Sequence, residues 1–372
     1  MSGLGSEHKA NVMRPSASHD LLGARSLPTT RDIARLRKRH GASGLPDAVR
    51  RGDDTAYQEI VCRTALNRVR GMPFKWTLNP YRGCTHGCHY CFARRYQAQL
   101  EMGPGDEFSS VILVKVNFPE VLARELRRAP HGSELVAVGT ATDPYQPIEG
   151  RYRLTRRALE AFAERPTPLA LVTKGPLVVR DIDVLAALSR ATACTVSVSV
   201  PTVDEDAWRR LEPGTAHPLQ RLRAVRALTD AGVDAGVLMA PIVPGISSAP
   251  AKLEATVRAV ADHGARFVGA GLLHLEGGAR AHFLEFLARD YPALVAGYGR
   301  LYAGKYATPR YTEQVNAVLG TLRSRYGLAG RSMRPRAPEK RAAAAEPPEW
   351  RQPRLTWPTL QAGPASAGRS AR

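Results

Sequence analysis

Three cysteines fall within eight residues, in the run Cys84-Thr85-His86-Gly87-Cys88-His89-Tyr90-Cys91, and three thiols on one short loop are the makings of a metal centre. A cube of four irons and four sulfides takes a thiolate at each iron. This loop offers three, with neither Cys62 nor Cys194 beside it, so one iron would stay open to a small molecule. The bland alternative is a structural zinc ion held by Cys84, Cys88 and Cys91 with His86 or His89 as fourth ligand. Zinc sites usually arise from two separated ligand pairs, and no second pair exists here. A disulfide framework is excluded by the count, since five cysteines is few and odd, and by the lack of a secretory signal.

Tyr90, just before the last cysteine, and the flanking text Asn79-Pro80-Tyr81-Arg82-Gly83-Cys84 resemble the cluster loop of the radical S-adenosylmethionine (SAM) enzymes. Within them the loop is similar to the branch that contains spore photoproduct lyase and proteins described as DNA repair photolyases. The resemblance spans roughly residues 75–275. It implies one [4Fe-4S] cluster on Cys84, Cys88 and Cys91, SAM bound at the open iron with Tyr90 against it, and an electron donor such as flavodoxin or ferredoxin. Reductive cleavage of SAM would yield a 5′-deoxyadenosyl radical, which the protein must place against one substrate hydrogen. Cys62 and Cys194 cannot ligate a second cluster between them, which argues against the branches with auxiliary clusters.

The elements that must position this loop are legible as alternating short apolar runs and amphipathic stretches. Leu135 to Gly139, Leu169 to Thr173, Thr195 to Val200, Gly236 to Val243 and Phe267 to Leu275 read as strands. The stretches between and after them, Leu154 to Glu164, Ile182 to Arg190, Asp206 to Ala231, Ala251 to His263 and Ala281 to Ala288, read as helices. With a first strand near Lys75 to Leu78 there are six β/α units, an α/β fold of partial (β/α)6 barrel type like the radical SAM core. Eight units are not found, and the glycine fingerprint of a dinucleotide-binding sheet is absent.

Chemistry in parallel α/β folds gathers at the carboxyl ends of strands. The second strand ends in the polar run Gly139-Thr140-Ala141-Thr142-Asp143-Pro144-Tyr145-Gln146-Pro147-Ile148-Glu149. The third ends in Thr173-Lys174-Gly175, and the fourth carries Ser197 and Ser199 on one face by the two-residue period. By resemblance, Thr142 and Asp143 line the SAM amino group, Lys174 its carboxylate, and Ser197 and Ser199 its ribose. The same comparison exposes a departure: Thr140 stands where spore photoproduct lyases carry a cysteine hydrogen donor, and an O–H bond is too strong to replace S–H. Cys62 is a candidate substitute donor. Cys194 starts its strand at the wrong end and reads as a small buried hydrophobe. Tyr81, Tyr145 and Tyr152 are alternative relays in principle.

At 372 residues with 44% hydrophobic content the chain can bury one large domain. Residues 1–70 read as a basic extension, 71–330 as the core with helices packed on it, and 331–372 as a disordered tail rich in Ala, Pro and Arg. The net charge of +19 favours polyanionic partners. Yet residues 1–70 hold 13 Lys/Arg against 7 Asp/Glu and residues 331–372 hold 9 against 3, so about two-thirds of the excess sits on the flanks. These flanks, including the patch Arg31 to His40, read either as arms for DNA or RNA or as solvated tails. No run of apolar residues is long enough for a membrane span, and the expected location is the cytoplasm. Two other readings stay open: a non-catalytic iron-sulfur or zinc protein that binds nucleic acid and senses redox state, and a radical SAM enzyme that modifies a peptide or small molecule.

Overall fold

A computed structural model describes residues 55–100, 105–128 and 134–330, together with residues 29, 31, 32, 35, 38, 49–51 and 103. Its strands are β1 (Val49–Arg51), β2 (Thr55–Ile60), β3 (Leu66–Arg68), β4 (Trp76–Leu78), β5 (Tyr81–Arg82), β6 (Val111–Lys115), β7 (Val136–Val138), β8 (Leu169–Thr173), β9 (Cys194–Ser199), β10 (Asp234–Ile242) and β11 (Val268–Leu272). The helices that matter here are α1 (Phe118–Arg128), α2 (Leu154–Glu164), α3 (Ile182–Ala191), α4 (Glu205–Leu211), α5 (Pro218–Asp230), α6 (Pro250–Asp262), α7 (Gly277–Asp290), α8 (Val295–Leu301) and α9 (Pro309–Arg325).

Strands β4, β7, β8, β9, β10 and β11 pair side by side and all parallel, which are the six strands read from the sequence. The sheet is open: β3 pairs antiparallel with β4 and forms one edge, while β11 forms the other. The architecture is therefore a partial α/β barrel. Parallel strands are covered on both faces and so run as near-continuous apolar segments; every residue of β9 from Cys194 to Ser199 is buried. The helices supply the outer layer. In α2, Leu154, Ala158, Leu159 and Phe162 recur at helical spacing and are buried, each larger one contributing roughly 1.5–3 kcal/mol.

Several boundaries differ from the sequence reading. Residues 55–68 belong to the core rather than to an extension ending at 70: β2 pairs in parallel with β6, and β3 joins the main sheet. Their apolar runs are short and interrupted by Gln58, Glu59, Asn67 and Arg68, so neither strand stands out in the sequence. Together β1, β2, β6 and β5 make a second, four-stranded sheet, with β1 and β2 preceding β4 in the chain and β5 and β6 lying between β4 and β7. The single helix expected from Asp206 to Ala231 is two helices, α4 and α5, because Pro213-Gly214 ends one and Pro218 opens the other. Beyond the helix expected at Ala281 to Ala288, which lies within α7, the chain breaks at Pro292 and resumes as α8. In the basic patch, Arg31, Asp32, Arg35 and Lys38 are helical, whereas Arg37, Arg39 and the whole tail 331–372 lie outside the described residues. Among the described residues no helix is long and apolar enough to cross a membrane.

Candidate active site

The cysteine loop leaves β5 and runs into a 3-10 helix at Phe92–Leu100. Cys84 and Cys88 are buried, Cys91 is partly buried, and none is in a disulfide. The entry turn requires Gly83: its φ is +80°, and a Cβ there would sit 2.4 Å from the Val111 carbonyl oxygen. The Cys84 N–H donates to Phe108 at 3.0 Å and that of Cys91 to Cys88 at 3.2 Å, folding the three thiols toward one another. Arg94, 2% exposed, fastens the loop from below, donating to the carbonyls of Gly87 at 2.7 Å, Cys88 at 3.1 Å and Gly105 at 2.7 Å. Gln146, fully buried, donates to the Gly83 carbonyl at 3.2 Å and accepts from the Thr85 N–H at 3.2 Å. The end of α4 closes the other side, where Gly214 donates to the His86 carbonyl and His89 donates to that of Leu211, both at 3.1 Å.

The strand-end residues expected at the site converge on this loop. Asp143 accepts from the Thr173 hydroxyl and the Lys174 N–H, both at 2.6 Å, and from the Tyr145 N–H at 2.9 Å; His86 Nδ1 lies 3.4 Å away. Burial opposes its charge, but His86 and these hydrogen bonds outweigh burial and hold it at about 2. Thr142 is buried and donates to the Tyr81 carbonyl at 3.1 Å, while Asn79 Oδ1 accepts from the N–H groups of Ala141 and Thr142. Lys174 Nζ donates to Ser199 Oγ at 3.0 Å, lies 3.7 Å from Glu212, and sits 5.5 Å from the centre of the Tyr90 ring. Burial disfavours this ammonium, but Cys88 and Glu212 more than compensate and raise its pKa. Ser197 is buried two residues before Ser199 on β9.

The three-cysteine loop and the six parallel strands fall largely within residues 78–255, which match the sequence pattern of the radical SAM superfamily. The chain belongs to the radical SAM superfamily. It is 40% identical over 295 residues to an uncharacterised protein of Mycobacterium tuberculosis, covering 78% of this chain and 86% of that one. A radical SAM Nα-GlyT isomerase of Pseudomonas phage M6 is 27% identical over 172 residues, covering 45% of this chain and 33% of that protein. Among solved structures, a spore photoproduct lyase mutant with bound AdoMet and dinucleoside spore photoproduct aligns with a TM-score of 0.60 at 16% identity, covering 82% of this chain and 93% of that one.

As a radical SAM enzyme the chain takes a [4Fe-4S] cluster and SAM. His86 lies between Asp143, 3.4 Å from its Nδ1, and Cys84, with which it also hydrogen-bonds, whereas His89 Nδ1 lies 3.1 Å from His282 Nε2 with its ring stacked on Phe286 at 4.3 Å and is engaged elsewhere. Among the described residues no three His, Cys, Asp or Glu side chains converge as a shell for one metal ion. The three thiols are near enough to act on one another's charge, and three of them would leave one iron of a four-iron cube open.

The remaining candidates have other partners. Cys62 is half-buried against the main core, its backbone clamped by Asn117 at 2.8 and 3.0 Å, and burial pushes its thiol up to about 11. It follows β2 alongside the Lys115 end of β6, whereas the cysteine loop attaches near Val111, roughly 15 Å along the strand. Cys194 is buried at the amino end of β9, as expected. The Thr140 hydroxyl pairs with that of Thr77. Tyr81, Tyr145 and Tyr152 donate their hydroxyls to Glu149, Asp181 and Glu59 respectively, which are structural contacts. A cavity of about 840 Å³ between α6, α8 and α9, lined by Leu253, Leu294, Tyr298 and Tyr311, includes none of the site residues.

Sequence reasoning missed Arg94, Gln146, Glu212 and Arg221. Gln146 lies within the polar run singled out after β7. Arg94, three residues past Cys91, is one of many arginines in this chain, and nothing in the sequence marks it as buried.

Proposed function

We propose that Cys84, Cys88 and Cys91 hold one [4Fe-4S] cluster and that the pocket formed by Tyr90, Lys174, Ser197 and Ser199 holds SAM, for reductive cleavage directed at a nucleic-acid substrate. The observation that carries this reading is the partly buried Lys174 ammonium beside Cys88 at the carboxyl ends of the strands, where a carboxylate-bearing cofactor needs a cation. When bound, the cluster supplies one electron to SAM, and the resulting 5′-deoxyadenosyl radical supplies the hydrogen abstraction. The chain's own part is positioning. Asp143 spends its oxygens on Thr173, Lys174 and Tyr145, and Thr142 spends its hydroxyl on Tyr81, so these two shape the wall of the SAM site. Arg94 and Gln146 keep the loop preformed. Lys174 and Ser199 present a charge and a hydroxyl to the cofactor.

The nucleic-acid substrate is supported by the net charge of +19 and by the likeness in fold to an enzyme whose structure holds a dinucleoside lesion. Thr140 in place of a thiol speaks against spore photoproduct as the lesion, because the hydroxyl cannot return a hydrogen atom. The test is anaerobic incubation of reconstituted protein, SAM and dithionite with ultraviolet-irradiated or alkylated oligonucleotides, and in parallel with peptide mixtures. A mass change in the oligonucleotide, absent with Cys88→Ala, is the expected result. A change in the peptides alone would overturn the substrate class.

A further inference from the structure

Glu212 and Arg221 form a buried ion pair directly behind the cysteine loop. Glu212 is 2% exposed and Arg221 fully buried, with Arg221 Nη2 2.5 Å from Glu212 Oε2. The guanidinium is fixed on every side, donating to Ser199 O at 2.8 Å, Ala216 O at 2.9 Å and Thr215 Oγ1 at 3.2 Å. Its partner's other oxygen, Oε1, accepts from the Tyr90 hydroxyl and lies 3.7 Å from Lys174 Nζ. The carboxylate is thus held between Arg221 on one side and the cysteine loop with Lys174 on the other. It reaches this place because α4 ends at Leu211 and the following turn is bound to the backbone of His86 and His89, on both sides of Cys88.

Isolated charges are not left in a low-dielectric interior without a function or a partner, and one partner for Arg221 would have been enough. The near oxygen aimed at Tyr90 and Lys174 is surplus to that pairing. A negative charge here opposes the arrival of an electron at a centre carried by Cys88, whereas Lys174 and Arg221 favour it, and at short range without water such effects are large. We propose that Glu212 is a positioning residue that fixes Tyr90 and Lys174 and keeps the reduction potential of the cluster more negative than the two cations alone would set it. This rests on the reading that Cys84, Cys88 and Cys91 hold a [4Fe-4S] cluster. The step concerned is one-electron: an external low-potential donor loses one electron, the cluster gains it, and no bond is made or broken.

The test is a potentiometric titration of the reconstituted protein followed by electron paramagnetic resonance, in wild type, Glu212→Gln and Tyr90→Phe, each with iron and sulfide counted. Glu212→Gln removes the charge at constant shape, and its midpoint is expected at a less negative potential. Tyr90→Phe removes only the hydroxyl and is expected to keep the wild-type midpoint. Since Glu212→Gln strands a buried guanidinium and risks misfolding, the double variant Glu212→Gln/Arg221→Met removes both charges; its midpoint is expected to move in the same direction by less, Glu212 being the nearer to the loop. An unchanged midpoint in whichever of these carries a full cluster overturns the proposal, as does a Tyr90→Phe shift equal to that of Glu212→Gln. A wild-type protein that binds no reducible cluster overturns the cluster reading itself, and the proposal with it.

Discussion

Asp143 joins three pieces of chain that the cysteine loop depends on: the end of β7 that carries it, the end of β8 through Thr173 and Lys174, and the loop itself through His86. Asp143→Asn keeps the shape but removes the charge and turns one acceptor into a donor, facing N–H and O–H groups that need acceptors. The carboxyl is held at about 2 against a usual 3.8, and that difference corresponds to about 2–3 kcal/mol of stability at neutral pH. The sign follows from the depressed value. The contribution is complete above about pH 4, where the unfolded carboxyl is ionised, and is lost as pH falls toward 2. For a core of this size about 2–3 kcal/mol is a drop of roughly 5 °C in Tm. Thermal unfolding followed by circular dichroism at pH 7 is expected to show that drop in Asp143→Asn. The gap to wild type is expected to narrow as the buffer is taken from pH 4 to pH 3. Equal Tm values at pH 7, or a gap that widens on acidification, would refute the assignment of this energy to the ionised carboxylate.

Gly214→Ala puts a Cβ 2.3 Å from the Thr85 carbonyl oxygen, so the α4 turn must separate from the cysteine loop. Iron bound after reconstitution is expected to fall several-fold while the far-ultraviolet spectrum stays native. Cys194→Ala opens a small space at the amino end of β9; it is expected to cost about 1 kcal/mol and to leave iron and sulfide content unchanged, as calorimetry and metal analysis would show. Lys174→Met removes the ammonium beside Cys88, and equilibrium dialysis is expected to show SAM affinity reduced roughly tenfold or more, the loss of one charge-assisted contact.

The six parallel strands were readable because most of them are short apolar runs, as in Leu169 to Val172, although β9 alternates Val196 and Val198 with Ser197 and Ser199. The small sheet was not. Its members are short or carry polar residues, and β2 is recognised only by its pairing with β6, more than 50 residues away. The cysteines, Lys174 and Asp143 were readable because rare residue types stand at predicted strand ends. Arg94, Glu212 and Arg221 were hidden for the opposite reason: in a chain with 53 Lys and Arg residues, a buried arginine looks like a surface one. Burial is a property of the fold, and the break at Pro213-Gly214 that brings Glu212 to Tyr90 falls within what the sequence presents as one amphipathic helix.

The most direct test of the central claim is anaerobic reconstitution with iron and sulfide, reduction by dithionite with SAM, and chromatography for 5′-deoxyadenosine, with Cys88→Ala as control. A brown protein with about four irons per chain that forms deoxyadenosine, and a variant that does not, is the predicted result. A colourless protein that retains zinc and leaves SAM intact would contradict it.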